Sequence, residues 1–146
     1  MVCYYDSSII LSAVLEEKGK FESSSVWDDV SIRLSSNLLR VECIIGVRRA
    51  NLQQRSPEGD EWSAHRIGVL EQYFSGINFK VMDQSVEDVI RKNADLALCR
   101  SLDAIHLATA IYFRRYQDED LYICSLDRRM REIAVNFDFH LLPEIS

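Results

Sequence analysis

Twice in this chain a short apolar run closes on or just before an aspartate, and the hydrophobic period then switches from that of a strand to that of a helix. Val2–Asp6 passes through Ser7 and Ser8 into Ile9–Glu17, and Leu121–Ser125 passes into Asp127–Phe137. Side chains repeat every two residues along a strand and about every 3.6 along a helix, so each change of period marks an element boundary. Two such strand–acid–helix units, far apart in sequence, fit parallel strands joined by helices. Their acids would then lie at the same end of one sheet, where ligand sites form in open parallel sheets.

The remaining pattern agrees. Val30–Leu34 reads as a second short strand, and Ser35, Ser36 and Asn37 after it are candidate N-caps. Leu38 to about Gln54 reads as a helix closed by the loop Arg55–Gly59, and Asp60–Phe74 as another, with Gly76 near its end. Phe79–Met82 is strand-like. Ser85–Cys99 places Val86, Val89, Ile90, Leu96 and Ala97 at the spacing of one amphipathic helix. Leu102–Tyr116 is apolar on nearly every side, as a helix packed between neighbours would be. His140–Leu142 is a last strand before Pro143. Together these predict an α/β fold with a mostly parallel sheet and a helical hairpin, Leu38–Phe74, beside it.

A chain of 146 residues suffices for one domain with a core, and the expected domain is residues 1–146. No apolar run approaches the roughly 20 residues of a membrane-spanning helix, and the amino terminus has no basic n-region, so no membrane partner is expected. Cys3, Cys43, Cys99 and Cys124 are scattered, without the spacing of a zinc site. Without an export signal, reduced thiols and a cytoplasmic location are expected. The net charge of −6 is the wrong sign for binding nucleic acid through bulk charge, so any such binding needs a local basic patch or metal ions.

Four acids are candidate site residues, and each has a plainer use. Asp6, with Ser8, caps the following helix or faces a ligand site; Asp127 repeats that choice after Leu121–Ser125. Glu42 is four residues after Leu38 and three before Ile45, on or beside the apolar stripe of its helix. Either it snorkels or pairs with Arg48 or Arg49, or it faces inward and needs a cation. Asp103 in the first turn of the apolar helix complements the helix dipole, or is aimed at the strand ends. Brought together, the four would repel one another and show raised carboxylate pKa values in the metal-free protein. A hard divalent cation relieves such repulsion, and metal-assisted phosphodiester hydrolysis uses that arrangement.

The ordered set resembles a known family, the PIN domain, and within it the VapC toxins of toxin–antitoxin pairs. Tyr4-Tyr-Asp-Ser-Ser-Ile-Ile-Leu-Ser-Ala13 is similar to the family's first motif and Ser36-Asn-Leu-Leu-Arg-Val-Glu42 to its second. Ser101-Leu-Asp-Ala-Ile-His-Leu-Ala-Thr-Ala110 is close to the third, and Ser125-Leu-Asp-Arg-Arg-Met130 is similar to the fourth. The resemblance runs from the first strand to Pro143. It implies a three-layer α/β/α domain and an endoribonuclease in which Asp6, Glu42, Asp103 and Asp127 bind Mg²⁺ or Mn²⁺. It implies Ser8 and Ser125 as supporting hydroxyls, an antitoxin partner over the acidic cleft, and a homodimer.

Candidate RNA contacts are Arg48, Arg49, Arg55, Arg114, Arg115, Arg128, Arg129 and Arg131, with Arg128 and Arg129 preferred because they follow Asp127 directly. His106, one turn from Asp103, is expected as a packed or surface histidine rather than a base. Trp27, Trp62, Tyr73 and Phe74 are expected in packing rather than base stacking. Two other function classes compete. A PIN-fold module that binds RNA or protein without cutting has no use for self-repelling acids. A phosphatase of the HAD type would need Asp-x-Asp after the first strand, where this chain has Asp6-Ser-Ser8.

Overall fold

A computed structural model describes residues 1–15, 24–54 and 59–144. Five strands, β1 (Val2–Tyr5), β2 (Ile32–Ser36), β3 (Asn78–Lys80), β4 (Leu121–Cys124) and β5 (His140–Leu142), form one sheet in the order β3-β2-β1-β4-β5. Every pair is parallel. Parallel neighbours require crossovers, supplied by the helices α1 (Ser7–Val14), α2 (Leu38–Gln54), α3 (Gly59–Ser75), α4 (Gln84–Lys92), α5 (Ser101–Arg114) and α6 (Arg128–Asn136).

β1 explains the three layers. All four of its residues are buried, as expected of a strand with neighbours on both sides and helices on both faces. Val2 and Tyr4 join one core with residues of α4, α5 and α6; Cys3 and Tyr5 join a second with residues of α1, α2 and α3. The alternation of one strand thus feeds two cores. α2 and α3 pack against each other and against α1, which is the expected helical hairpin; the loop residues Arg55–Glu58 lie outside the described residues, as do Glu16 and Glu17 of the first expected helix.

Three boundaries differ from the expected ones. β2 covers Ile32–Ser36 rather than Val30–Leu34, because its two serines are satisfied in place: Ser35 Oγ donates to the Tyr5 carbonyl at 2.7 Å, and Ser36 Oγ accepts the Leu38 N–H at 3.2 Å. β3 covers Asn78–Lys80 rather than Phe79–Met82. The expected helix Ser85–Cys99 breaks at Asn93, after which Ala94–Leu98 forms a 3₁₀ turn. Asn93 donates its side-chain amide to the Val89 carbonyl at 2.7 Å, closing α4 with its own side chain.

Both Arg114 and Arg131 are held inside the fold. Arg114 donates to the Phe137 carbonyl at 2.6 Å and lies over the Phe139 ring. Arg131 donates to the carbonyls of Ser125, Leu142 and Pro143 at 2.8, 3.0 and 2.9 Å, fastening edge strand β5. Neither is placed for phosphate. The four cysteines are free thiols, and burial pushes that of Cys3 up to about 12. Among the described residues no helix is long and apolar enough to cross a membrane.

Candidate metal centre at the carboxyl edge of the sheet

Asp6 follows the last residue of β1, and its N–H donates to the Cys124 carbonyl at 3.2 Å, so the ends of β1 and β4 are laced together. Its carboxylate is buried. Oδ1 accepts from Ser8 N–H at 2.8 Å and Ser8 Oγ at 2.5 Å, and Oδ2 accepts from Ser125 Oγ. The same hydroxyls serve the second strand end: Ser8 Oγ accepts the Leu126 N–H at 2.8 Å, and Ser125 Oγ accepts the Asp127 N–H at 3.0 Å. Capping, the plainer use, is therefore real for Asp6 in α1, and Asp127 caps α6 by accepting the Met130 N–H at 3.0 Å. It does not exhaust either residue. A carboxylate offers about four lone-pair sites; Ser8 and Ser125 occupy three on Asp6, leaving one on Oδ2.

Burial raises the Asp6 pKa, and the hydrogen bonds from Ser125 and Ser8 oppose that rise, as does the nearby His106. Three donors aimed at one carboxylate favour its charged form.

Glu42 lies in the second turn of α2, 24% exposed, and its partner is neither Arg48 nor Arg49. Oε1 stands 2.5 Å from Nε2 of His106, whose Nδ1 stands 2.7 Å from the Tyr4 hydroxyl. His106 is buried, as expected of a packed histidine. Its contact with Glu42 had no sequence signal stronger than a polar residue in an otherwise apolar helix. Tyr4 was equally hidden, although the two-residue period of β1 places it on the face toward α5.

Asp103 occupies the first turn of α5, half-buried, and among the described residues no hydrogen bond or ion pair engages it. Its pKa is raised first by burial, then by the charges of Asp127 and Glu42, with His106 and Arg100 opposing. Asp103 thus feels the charges of both Asp127 and Glu42, a repulsion that burial strengthens.

The described side chains include no group of three or more His, Cys, Asp or Glu already gathered as metal ligands. The chemistry of the acids nonetheless suits a hard divalent cation: every donor is oxygen, and among the described residues Asp103 has no hydrogen-bond or ion-pair partner. The oxygens left open are one site on Asp6 Oδ2, Glu42 Oε2, Asp127 Oδ2 and both oxygens of Asp103.

Arg128 and Arg129 follow at the start of α6, both exposed. Arg128 pairs within the helix with Glu132 at 3.0 Å. Arg129, like Asp103, lies close enough to Cys99 for its charge to act on that thiol. Arg48, Arg49 and Arg115 are exposed, and Arg55 lies outside the described residues. Trp27 packs edge-on to Tyr73 at 4.9 Å between ring centres and lies under Arg33; Phe74 is buried, and Trp62 packs at the core's margin.

No curated protein matches the chain. A profile of the PIN domain matches residues 3–136, from β1 to the end of α6. PIN domains are three-layer α/β/α proteins, typically nucleases that act on nucleic acid with divalent metal ions. The five-stranded parallel sheet between two helical layers has that architecture, and Asp6 and Asp127 follow the carboxyl ends of β1 and β4. With the profile spanning nearly all of it, this chain belongs to the PIN-domain family.

Proposed function

We propose that this protein, acting as one domain, is a metal-dependent endoribonuclease of the VapC toxin type. The observation that carries the proposal is Asp103, its pKa raised first by burial and then by the charges of Asp127 and Glu42, together with a buried Asp6 held by two serines. Asp6, Glu42, Asp103 and Asp127 would hold Mg²⁺ or Mn²⁺. When bound, the cation would activate a water and neutralise charge developing on the phosphoryl oxygens. Ser8 and Ser125 fix the Asp6 carboxylate so that its remaining lone pair faces a set direction. Arg129, and Arg128 once released from Glu132, would steady the RNA backbone through phosphate. Water oxygen adds to phosphorus in line, the bond from phosphorus to O3′ breaks, and the products are a 5′-phosphate and a 3′-hydroxyl.

A net charge of −6 does not draw RNA from a distance, so binding rests on the cation and these arginines. The toxin reading brings two partners, an antitoxin over the acidic cleft and a second copy of the chain. Exposed Val81, Met82, Leu98 and Leu102 support a protein-covered surface. A cytoplasmic location follows from the same reading.

The test is cleavage of a mixed RNA pool with Mg²⁺ or Mn²⁺, comparing wild type, Asp6→Asn and an EDTA control. Cutting that needs the metal and disappears in a normally melting Asp6→Asn supports the nuclease. An inert wild type, or a variant that cuts as well, makes the chain a binding module.

A further inference from the structure

We propose that Tyr4 and His106 are a positioning pair for Glu42, fixing which of its oxygens faces the cleft. This rests on Glu42 being a cation ligand and goes beyond it by assigning work to two residues that touch neither cation nor RNA.

His106 is 2% exposed and Tyr4 1%, so neither can rely on water. Buried polar groups that lack partners are costly. His106 is satisfied at both nitrogens, 2.7 Å from the Tyr4 hydroxyl and 2.5 Å from Glu42 Oε1. A carboxylate oxygen so close to Nε2 needs a proton between them, since a bare nitrogen lone pair there would repel it. In the positioning pair Nε2 is the atom that carries it, donating to Oε1.

The far side of the ring is closed as firmly. Two hydroxyls from the surrounding elements, those of Ser35 and Thr109, are committed to backbone carbonyls. Ser35 gives its proton to the Tyr5 carbonyl at 2.7 Å, and Thr109 gives its own to the Ile105 carbonyl at 2.6 Å. The partner of the Tyr4 hydroxyl is Nδ1 of His106, at 2.7 Å. The two rings meet edge to face with centres 5.8 Å apart, and Phe113 packs against Tyr4 from another side. The imidazole is thus held in position between Tyr4 and Glu42.

The consequence falls on Glu42. With Oε1 committed to His106, only Oε2 is open, and the side chain loses the rotation that would exchange them. Histidine ligands in metalloproteins are oriented by outer partners in the same way; here the oriented group is the carboxylate and the orienting group the histidine.

The alternative is that Glu42 merely satisfies a buried histidine, in which case substitutions at 106 change stability alone. Glutamine and asparagine separate the two. The amide nitrogen of His106→Gln reaches the place of Nε2–H, whereas that of His106→Asn stops near Nδ1. The experiment is Mn²⁺ binding by titration calorimetry on wild type, His106→Gln, His106→Asn and Tyr4→Phe, each with a melting curve, together with ¹⁵N NMR of the His106 ring in the metal-free protein. The expected result is Nε2 protonated in wild type, Mn²⁺ affinity kept within about threefold in His106→Gln, and affinity about 10- to 100-fold weaker in His106→Asn. Tyr4→Phe, which keeps the ring and its packing, should weaken Mn²⁺ by about 10-fold. Equal affinity in all four proteins, or an Nε2 without its proton, overturns the positioning pair and leaves the nuclease reading intact. A wild type that binds no Mn²⁺ overturns both.

Discussion

Ser125 gives its hydroxyl proton to the carboxylate of Asp6, 119 positions earlier in the chain. The contact joins the ends of two neighbouring strands and holds the most buried acid of the site. Replacing Ser125 by alanine leaves Asp6 Oδ2 buried without that donor, at a cost of about 1–3 kcal/mol. For a chain of this size the melting temperature of Ser125→Ala should fall by roughly 3–10 °C. An unchanged melting curve would mean that Asp6 is not held from β4.

Asp103→Asn should stabilise the metal-free protein. The fold raises the Asp103 pKa, so the folded chain keeps this proton at a pH where the unfolded chain has released it. Its contribution is therefore favourable at low pH and is lost as pH rises through the raised value. Asparagine has the same shape, no charge and no hydrogen bond to forfeit. Melting curves should show Asp103→Asn above wild type at neutral pH and level with it below about pH 4. A variant that melts lower at neutral pH would deny the repulsion from Asp127 and Glu42.

Helix α6 ends with Asp138 in the left-handed region, φ 64°, while Asp138 and Phe139 N–H donate to the Val135 and Ala134 carbonyls. This is a Schellman closure, for which glycine is the usual residue. Asp138→Gly should gain roughly 0.5–1 kcal/mol, read as a higher midpoint in urea. A lower midpoint would show that the aspartate side chain contributes more than its backbone conformation costs.

Arg128→Ala with Arg129→Ala should weaken RNA binding without touching the fold, because both side chains are exposed. On single-stranded RNA the slope of log affinity against log salt should become shallower by about 0.7 for each phosphate contact removed. Melting should stay within about 0.5 kcal/mol of wild type. Affinity and slope both unchanged would place the RNA elsewhere.

Strands that pack on both faces are legible because their whole length is apolar, and the change of period at Asp6 and Asp127 located two of them and the edge they share. α2 begins at Leu38 and β5 spans His140–Leu142, as read from sequence. Asn93 was not legible as a helix end: the apolar spacing continues past it through Leu96 and Ala97, and only the fold shows its amide turned back on Val89. Ser35 and Ser36 read as caps because hydroxyls suit helix starts; both lie in β2, where Ser35 donates to the Tyr5 carbonyl, while Ser36 still accepts the first N–H of α2. At the site, each acid was visible because an acid at a strand end or in an apolar helix is conspicuous. The groups holding the acids were hidden for the opposite reason. Tyr4 and His106 look like core, and their pairing crosses 102 positions that no local pattern spans. Arg131 stood in a basic run beside Asp127 and looked like its neighbours, but it binds three carbonyls of the chain itself.

The most direct measurement is incubation of a circular single-stranded RNA with the protein and Mn²⁺, beside Asp6→Asn and a sample with EDTA. A circle has no ends, so only an endonuclease can open it. The expected result is a linear product bearing a 5′-phosphate, formed by wild type with Mn²⁺ and in neither control. Circles that stay closed while the ends of linear RNA are trimmed, or circles opened equally by Asp6→Asn, would contradict a metal-dependent endoribonuclease built on these acids.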